Sequence, residues 1–259
     1  MGRLTEVDLP NSLLLRIKRG ETPFYRFIRR VAVRILSPTS LPVPGMIKPA
    51  LRVLYHIHLG MTAGWQSFLN VFYRHPLFQA RCATFGTGVV VDRLPFVNGH
   101  VEIHVGNGVR IGGRVSIFSA RLIDKPILIL KDRAEIGWNT IIAVSKEVIL
   151  EEHVRVSYDC RISDSDGHPR EADLRAENLP VNVRDIRPVR ICKYAWIGNG
   201  THIMKGVTIG EGAVVGANSV VISDIPPYCL AMGNPAEIIL RNYGRPSKRT
   251  TPDVNQASS

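Results

Sequence analysis

Aliphatic residues recur every six positions through the second half of the chain. From Ile191 the step runs through Ile197, Ile203, Ile209, Val215 and Val221. Four positions after each comes a residue that is mostly small: Ala195, Thr201, Val207, Ala213, Ser219, then Ile225. Glycine often follows the aliphatic, as at Gly198, Gly210 and Gly216. The same step appears earlier, at Val105, Ile111, Ile117, then Leu130, Ile136, Ile142, then Leu150, Val156, Ile162. A period of six fits neither the 3.6 of a helix nor the 2 of a simple strand. It predicts a chain that turns a corner every six residues, with three short strands to a coil of about eighteen. Stacked coils pair their strands in parallel and bury one aliphatic column, while Gly, Asn and Asp suit the corners.

The first third follows another rule. In TPFYRFIRRVAVRIL (22–36), Phe24, Phe27, Ile28, Val31 and Ile35 keep helical spacing, and Arg26, Arg29, Arg30 and Arg34 take much of the remaining surface. This predicts a basic amphipathic helix. It breaks at SPTSLPVPG, and a second apolar segment, 46–76, is expected to be helical with breaks near Pro49 and Gly60. The tail after Gly244, RPSKRTTPDVNQASS, reads as disordered. The pattern divides the chain into a basic, largely helical region (1–80), a coil domain (81–240) with a loop insertion at 168–188, and a partly disordered tail (241–259).

Composition sharpens this division. Apolar residues make up 45% of the 259, enough for a core. Of the net +11, residues 1–80 carry eleven Lys and Arg against three Asp and Glu, so +8 lies there and +3 in the remainder. That arm either packs on the coil domain or a neighbouring subunit, or attaches through residues 22–36 to an anionic membrane face. No stretch is apolar enough to span a bilayer. No nucleic-acid motif accompanies the charge, so no nucleic-acid partner is expected. Cys82, Cys160, Cys192 and Cys229 form no CxxC pair, and MGRLTEVDLP has no apolar signal core; a cytoplasmic protein with reduced thiols is expected. His100, Glu102 and His104 alternate along one strand face and read as exposed strand residues, with no metal site.

The run IGNGTHIMKGVTIGEGAVVGANSVVISDIPPYCLAMGNPAEII (197–239) resembles the hexapeptide-repeat acyltransferases, over roughly residues 85–240. The resemblance implies an all-β left-handed parallel β-helix, here with an N-terminal α-helical region. The six-residue phase fails after SDSDGHPR (163–170), and the charged insertion that follows begins at His168, ahead of the strand YAWIG (194–198). By resemblance to sugar O-acetyltransferases, His168 is the general base that takes a proton from an acceptor hydroxyl, a role that suits an imidazole. Asp164 or Asp166 either orients its ring or forms a turn. The resemblance further places Asn139 against the acceptor and Trp196, Gly198 and Ala217 along the coenzyme channel. Asn234 and Pro235 of GNPAE (233–237) fall in a turn near the coenzyme A phosphates. Glu237 stands there in place of a basic residue, and Arg241 or Arg245 could substitute. The expected activity is acetyl transfer from acetyl-CoA, without a metal, to a hydroxyl of a sugar or of a polysaccharide or glycolipid precursor. It would be carried out by a cytoplasmic homotrimer, peripheral on the inner face of the membrane. A xenobiotic acetyltransferase and a non-catalytic β-helix scaffold are the alternatives.

Overall fold

In the structure, a computed structural model, the six-residue step becomes a three-sided parallel coil. The structure describes residues 9–36, 43–119 and 122–245. Six turns of coil occupy residues 84–98, 102–118, 127–143, 147–163, 189–203 and 208–221, each contributing one strand to each of three parallel sheets. The hexad aliphatics stack in register. Leu130 lies beside Leu150, then Ile191 and Ile209, on the first face. Ile136, Val156, Ile197 and Val215 do so on the second, and Ile142, Ile162, Ile203 and Val221 on the third. All twelve are buried, and the corner residues Ala195, Thr201, Val207, Ala213, Ser219 and Ile225 are buried beside them. Each buried aliphatic contributes roughly 1.5–3 kcal/mol of transfer free energy, so the column is the main source of stability.

The corners explain the residue types between aliphatics. Asn139, Asp159, Gly200 and Asn218 occupy successive levels of the second corner with φ of 59°, 59°, 68° and 57°. Asn and Asp enter this left-handed region more readily than most residues. Gly137 and Gly198 serve a different need. A Cβ at Gly137 would lie 2.5 Å from the backbone of Ser157, and one at Gly198 2.6 Å from Ala217 N, because neighbouring coils approach closely there.

The chain divides into two units, Met1–Met61 and Thr62–Ser259. The first contains α1 (Leu9–Arg19) and α2 (Pro23–Leu36), the helix expected at 22–36. The division falls inside α3 (Lys48–Leu69), which runs through Gly60 without the expected break. Pro49 stands in its first turn, where a missing N–H costs nothing, and an internal glycine costs only about 1 kcal/mol. A short π turn at Asn70–Arg74 leads to α4 (His75–Arg81), whose Phe78 is buried in the end of the coil core. The expected disordered tail falls beyond residue 245, outside the described residues.

Candidate active site

The insertion is anchored at its stem by groups that look like loop polarity in the sequence. It begins at Asp164, earlier than the loss of phase suggests, and runs to residue 188. The Asp164 carboxylate is fully buried and accepts backbone N–H bonds from Ser145, Lys146 and Glu147 at 2.7, 2.6 and 2.9 Å. Burial pushes its carboxyl up, against the pull of those donors. The Asp164 carbonyl accepts from Arg187 N at 3.0 Å, which clasps the two ends of the loop. Two residues on, Asp166 is bonded to Lys205 Nζ at 2.5 Å. Lys205 is only 6% exposed, an ammonium set into the next coil between Ile203 and Val207.

His168 follows Gly167, whose φ is 80°. It is exposed, and its ring has no hydrogen bond or ion pair among the described residues, whereas Pro169 beside it is buried. Arg175 of α5 (Ala172–Ala176) donates to the carbonyls of Pro169 and Arg170. Val181 and Ile186 are buried, fixing the rest of the insertion to the coil. Neither Asp164 nor Asp166 is hydrogen-bonded to the imidazole among the described residues. Each carboxylate is held elsewhere, and both act as anchors of the loop that presents His168.

The other sequence-derived site residues gather on the second face and its following corner. The Asn139 amide donates to Asp159 Oδ1 at 2.6 Å. Trp196 is half exposed and donates from Nε1 to Ser157 Oγ at 3.2 Å. Gly198 and Ala217 lie above it on the same corner, and Ala217 is exposed. A groove of about 620 Å³ follows this face, lined by Asp92, Trp138, Arg155, Tyr158, Trp196 and Asn199. Asp92 accepts from Trp138 Nε1 at 2.9 Å, and the Arg93 guanidinium lies 5.4 Å from that ring. Asn234 and Pro235 form the tip of an antiparallel hairpin, Cys229–Gly233 with Ala236–Arg241, that closes the second sheet. Glu237, opposite Met232, and Arg241, opposite Cys229, are both exposed. Arg245 lies over the Tyr228 ring at 5.9 Å. The alternating pair proves to be hydrogen-bonded: His104 contacts Glu102 Oε1 at 3.0 Å and Thr84 Oγ1 at 3.1 Å, while His100 contacts the Ile123 carbonyl at 2.9 Å.

Within one chain these residues form two groups, not one. Asn139 precedes the third-face strand Ile141–Ala143, and His168 follows the neighbouring strand Arg161–Ser163. Asn139 therefore stands before that face and His168 beyond it, and no hydrogen bond joins them among the described residues. Lys205, Trp138 and Tyr158 are the neighbours that sequence reasoning missed. For Lys205 a signal existed, because a lysine inside the string IMKGVTIG has no solvent-facing hexad role.

The bacterial transferase hexapeptide family (six repeats) matches residues 188–223. Those residues carry the hexapeptide repeat that the family describes. A presumptive acetyltransferase of Schizosaccharomyces pombe is 39% identical over 105 residues, 38% of this chain and 42% of the relative. One of Staphylococcus aureus strain COL is 50% identical over 52 residues, 20% of this chain and 26% of the relative. The chain thus spans less than half the length of these curated relatives. Among solved structures it resembles AntD, an N-acyltransferase from Bacillus cereus solved with dTDP-4-amino-4,6-dideoxyglucose and coenzyme A. The TM-score is 0.53 at 18% identity, over 68% of this chain and 91% of that one. The fold is the left-handed parallel β-helix of hexapeptide-repeat proteins, preceded by helices.

Proposed function

We propose that this chain transfers an acetyl group from acetyl-CoA to a hydroxyl of a sugar or of a polysaccharide or glycolipid precursor. The observation that carries this is the anchored loop on a rigid coil, presenting an exposed imidazole whose nitrogens are unclaimed. His168 takes the acceptor proton as the hydroxyl oxygen attacks the thioester carbonyl. The tetrahedral adduct then expels the thiolate of coenzyme A, which recovers the proton from the imidazolium. The second corner suits an extended pantetheine arm, because Gly198 and Ala217 leave its edge low and Trp196 stands exposed beside it. Exposed Arg241 and Arg245 carry the charge needed for the phosphates, and Glu237 opposes it. Asn139 lies on that same corner, a face away from His168. A homotrimer would complete the site by setting the second corner of one copy against the His168 loop of the next. The relatives' names support acetyl as the acyl group, and the chemistry requires no metal. The acceptor pool is cytoplasmic, with membrane attachment on the inner face.

The test is release of coenzyme A thiol from acetyl-CoA across a panel of sugar and glycolipid acceptors. Replacing His168 by Ala should leave fold and assembly intact and lower turnover by ~10²–10⁴-fold, with acetyl-CoA affinity little changed. Turnover near the native value in the folded variant would remove His168 from the mechanism.

A further inference from the structure

Beyond Glu21, which pairs with Arg16 at 3.7 Å, the helical segment ahead of the coil is charged in one sense only. From Thr22 to Val91 there are eight Lys and Arg and no Asp or Glu. On α2, Phe24, Phe27 and Val31 are 66%, 62% and 40% exposed. Arg26, Arg29 and Arg30 are exposed beside them, and none forms an ion pair among the described residues. On α1, Leu13 and Leu15 are exposed near Arg16, Lys18 and Arg19. No residue of α3 is buried; Leu54, Tyr55, Met61, Trp65 and Phe68 all face outward, and from Val53 to Leu69 it has no Asp, Glu, Lys or Arg. No helix among the described residues is long and apolar enough to cross a membrane.

A surface this apolar needs a covering, and its charge selects which. Packing copies of the segment on one another would cover the apolar side chains but gather their arginines, with no carboxylate from residue 22 to 91 to face them. A bilayer surface rich in anionic lipid takes both groups at once. Apolar side chains enter the boundary between headgroups and acyl chains, aromatic rings sit at headgroup depth, and guanidinium groups meet phosphates. We infer that α1, α2 and α3 are each docking elements for an anionic membrane surface, lying on the bilayer rather than spanning it. This extends the attachment predicted for residues 22–36 to the helices on either side of it, and it holds whatever the coil domain catalyses.

The full-length protein is tested by co-sedimentation with phosphatidylcholine vesicles and with vesicles that also contain phosphatidylglycerol. Binding should be strong only to the second kind and should weaken with salt. The triple variant R26Q/R29Q/R30Q should bind them about two orders of magnitude less well, at roughly fivefold per basic residue. Circular dichroism and light scattering on the same samples would show whether fold and assembly are kept. Failure of the native protein to bind phosphatidylglycerol vesicles at low salt overturns the inference without need of a variant. So does equal binding to both vesicle types, or a folded triple variant that binds as well as the native protein. A triple variant that changes only its oligomeric state would instead assign the face to subunit contacts.

Discussion

Removing either partner of the Asp166–Lys205 pair should destabilise the protein, but not equally. Lys205 is 6% exposed, whereas the Asp166 side chain is 34% exposed. Asp166→Ala leaves an ammonium inside the coil with no counter-charge. Breaking a buried pair in that direction costs about 3–5 kcal/mol. Lys205→Met removes the buried charge and keeps most of the side-chain volume, and the carboxylate left behind can be hydrated from its open side. The loss is then mainly one charge-assisted hydrogen bond, about 1–2 kcal/mol after solvent takes its place. The double variant should be more stable than Asp166→Ala alone, since the second change removes the stranded ammonium. At ~2–4 °C per kcal/mol for a chain of this size, Asp166→Ala should melt about 6–20 °C lower and Lys205→Met only a few degrees lower. Urea unfolding of all three variants at one protein concentration, with assembly checked by light scattering, makes the comparison. Because Asp166 lies two residues before His168, both single variants should also lower kcat with little change in KM for acetyl-CoA. A Lys205→Met variant as unstable as Asp166→Ala would refute the reasoning, because it would make the carboxylate the group that depends on its partner.

Ile209→Asp sets a carboxylate into a fully buried place in the aliphatic column and should cost several kcal/mol, seen as insoluble protein or a large loss of thermal stability. Asp164→Ala leaves three backbone N–H groups, one buried and two partly buried, without their acceptor and should cost about 2–4 kcal/mol in urea unfolding, with the His168 loop becoming the first segment to exchange its amide hydrogens. Glu237→Lys should tighten acetyl-CoA binding, more so at low salt; unchanged affinity at low ionic strength would place Glu237 away from the coenzyme. Mixing inactive His168→Ala and Asn139→Ala chains should restore about a quarter of native turnover, since three in four random trimers are mixed and each mixed ring has one intact site of three. No recovery after reassembly would mean that the two residues do not meet across a subunit boundary.

The coil was legible because each of its positions answers to a neighbour three strands on, and that demand repeats. Every hexad aliphatic named from the pattern lies in the buried column. The coil at 84–98 lies inside the expected domain, but its hexads Phe85, Val91 and Val97 stand out less, because no earlier coil extends their run. The stem of the insertion was harder for a different reason. Asp164 meets its donors 17 to 19 residues back, and Asp166 meets Lys205 39 residues on. A local pattern shows only two aspartates among serines, and polar loops commonly look so. In α3 the local signals pointed the wrong way, because Pro49 was counted as a breaker where it is a helix starter.

The site follows the same logic one level up. Asn139 and His168 were drawn from two motifs 29 residues apart, and the fold does place each at an exposed corner of the coil. It places them at different corners, because a strand of the third face runs between one corner and the next. The groove of the second face does not reach His168, and the walls around His168 are whatever leaves its own corner. On the proposed function, chemistry that needs both groups takes its second wall from another copy of the same coil. The anchors of the insertion fit that proposal. A loop set to meet a neighbouring chain would be fixed from beneath, and this one is, by Asp164 on one coil and Lys205 on another.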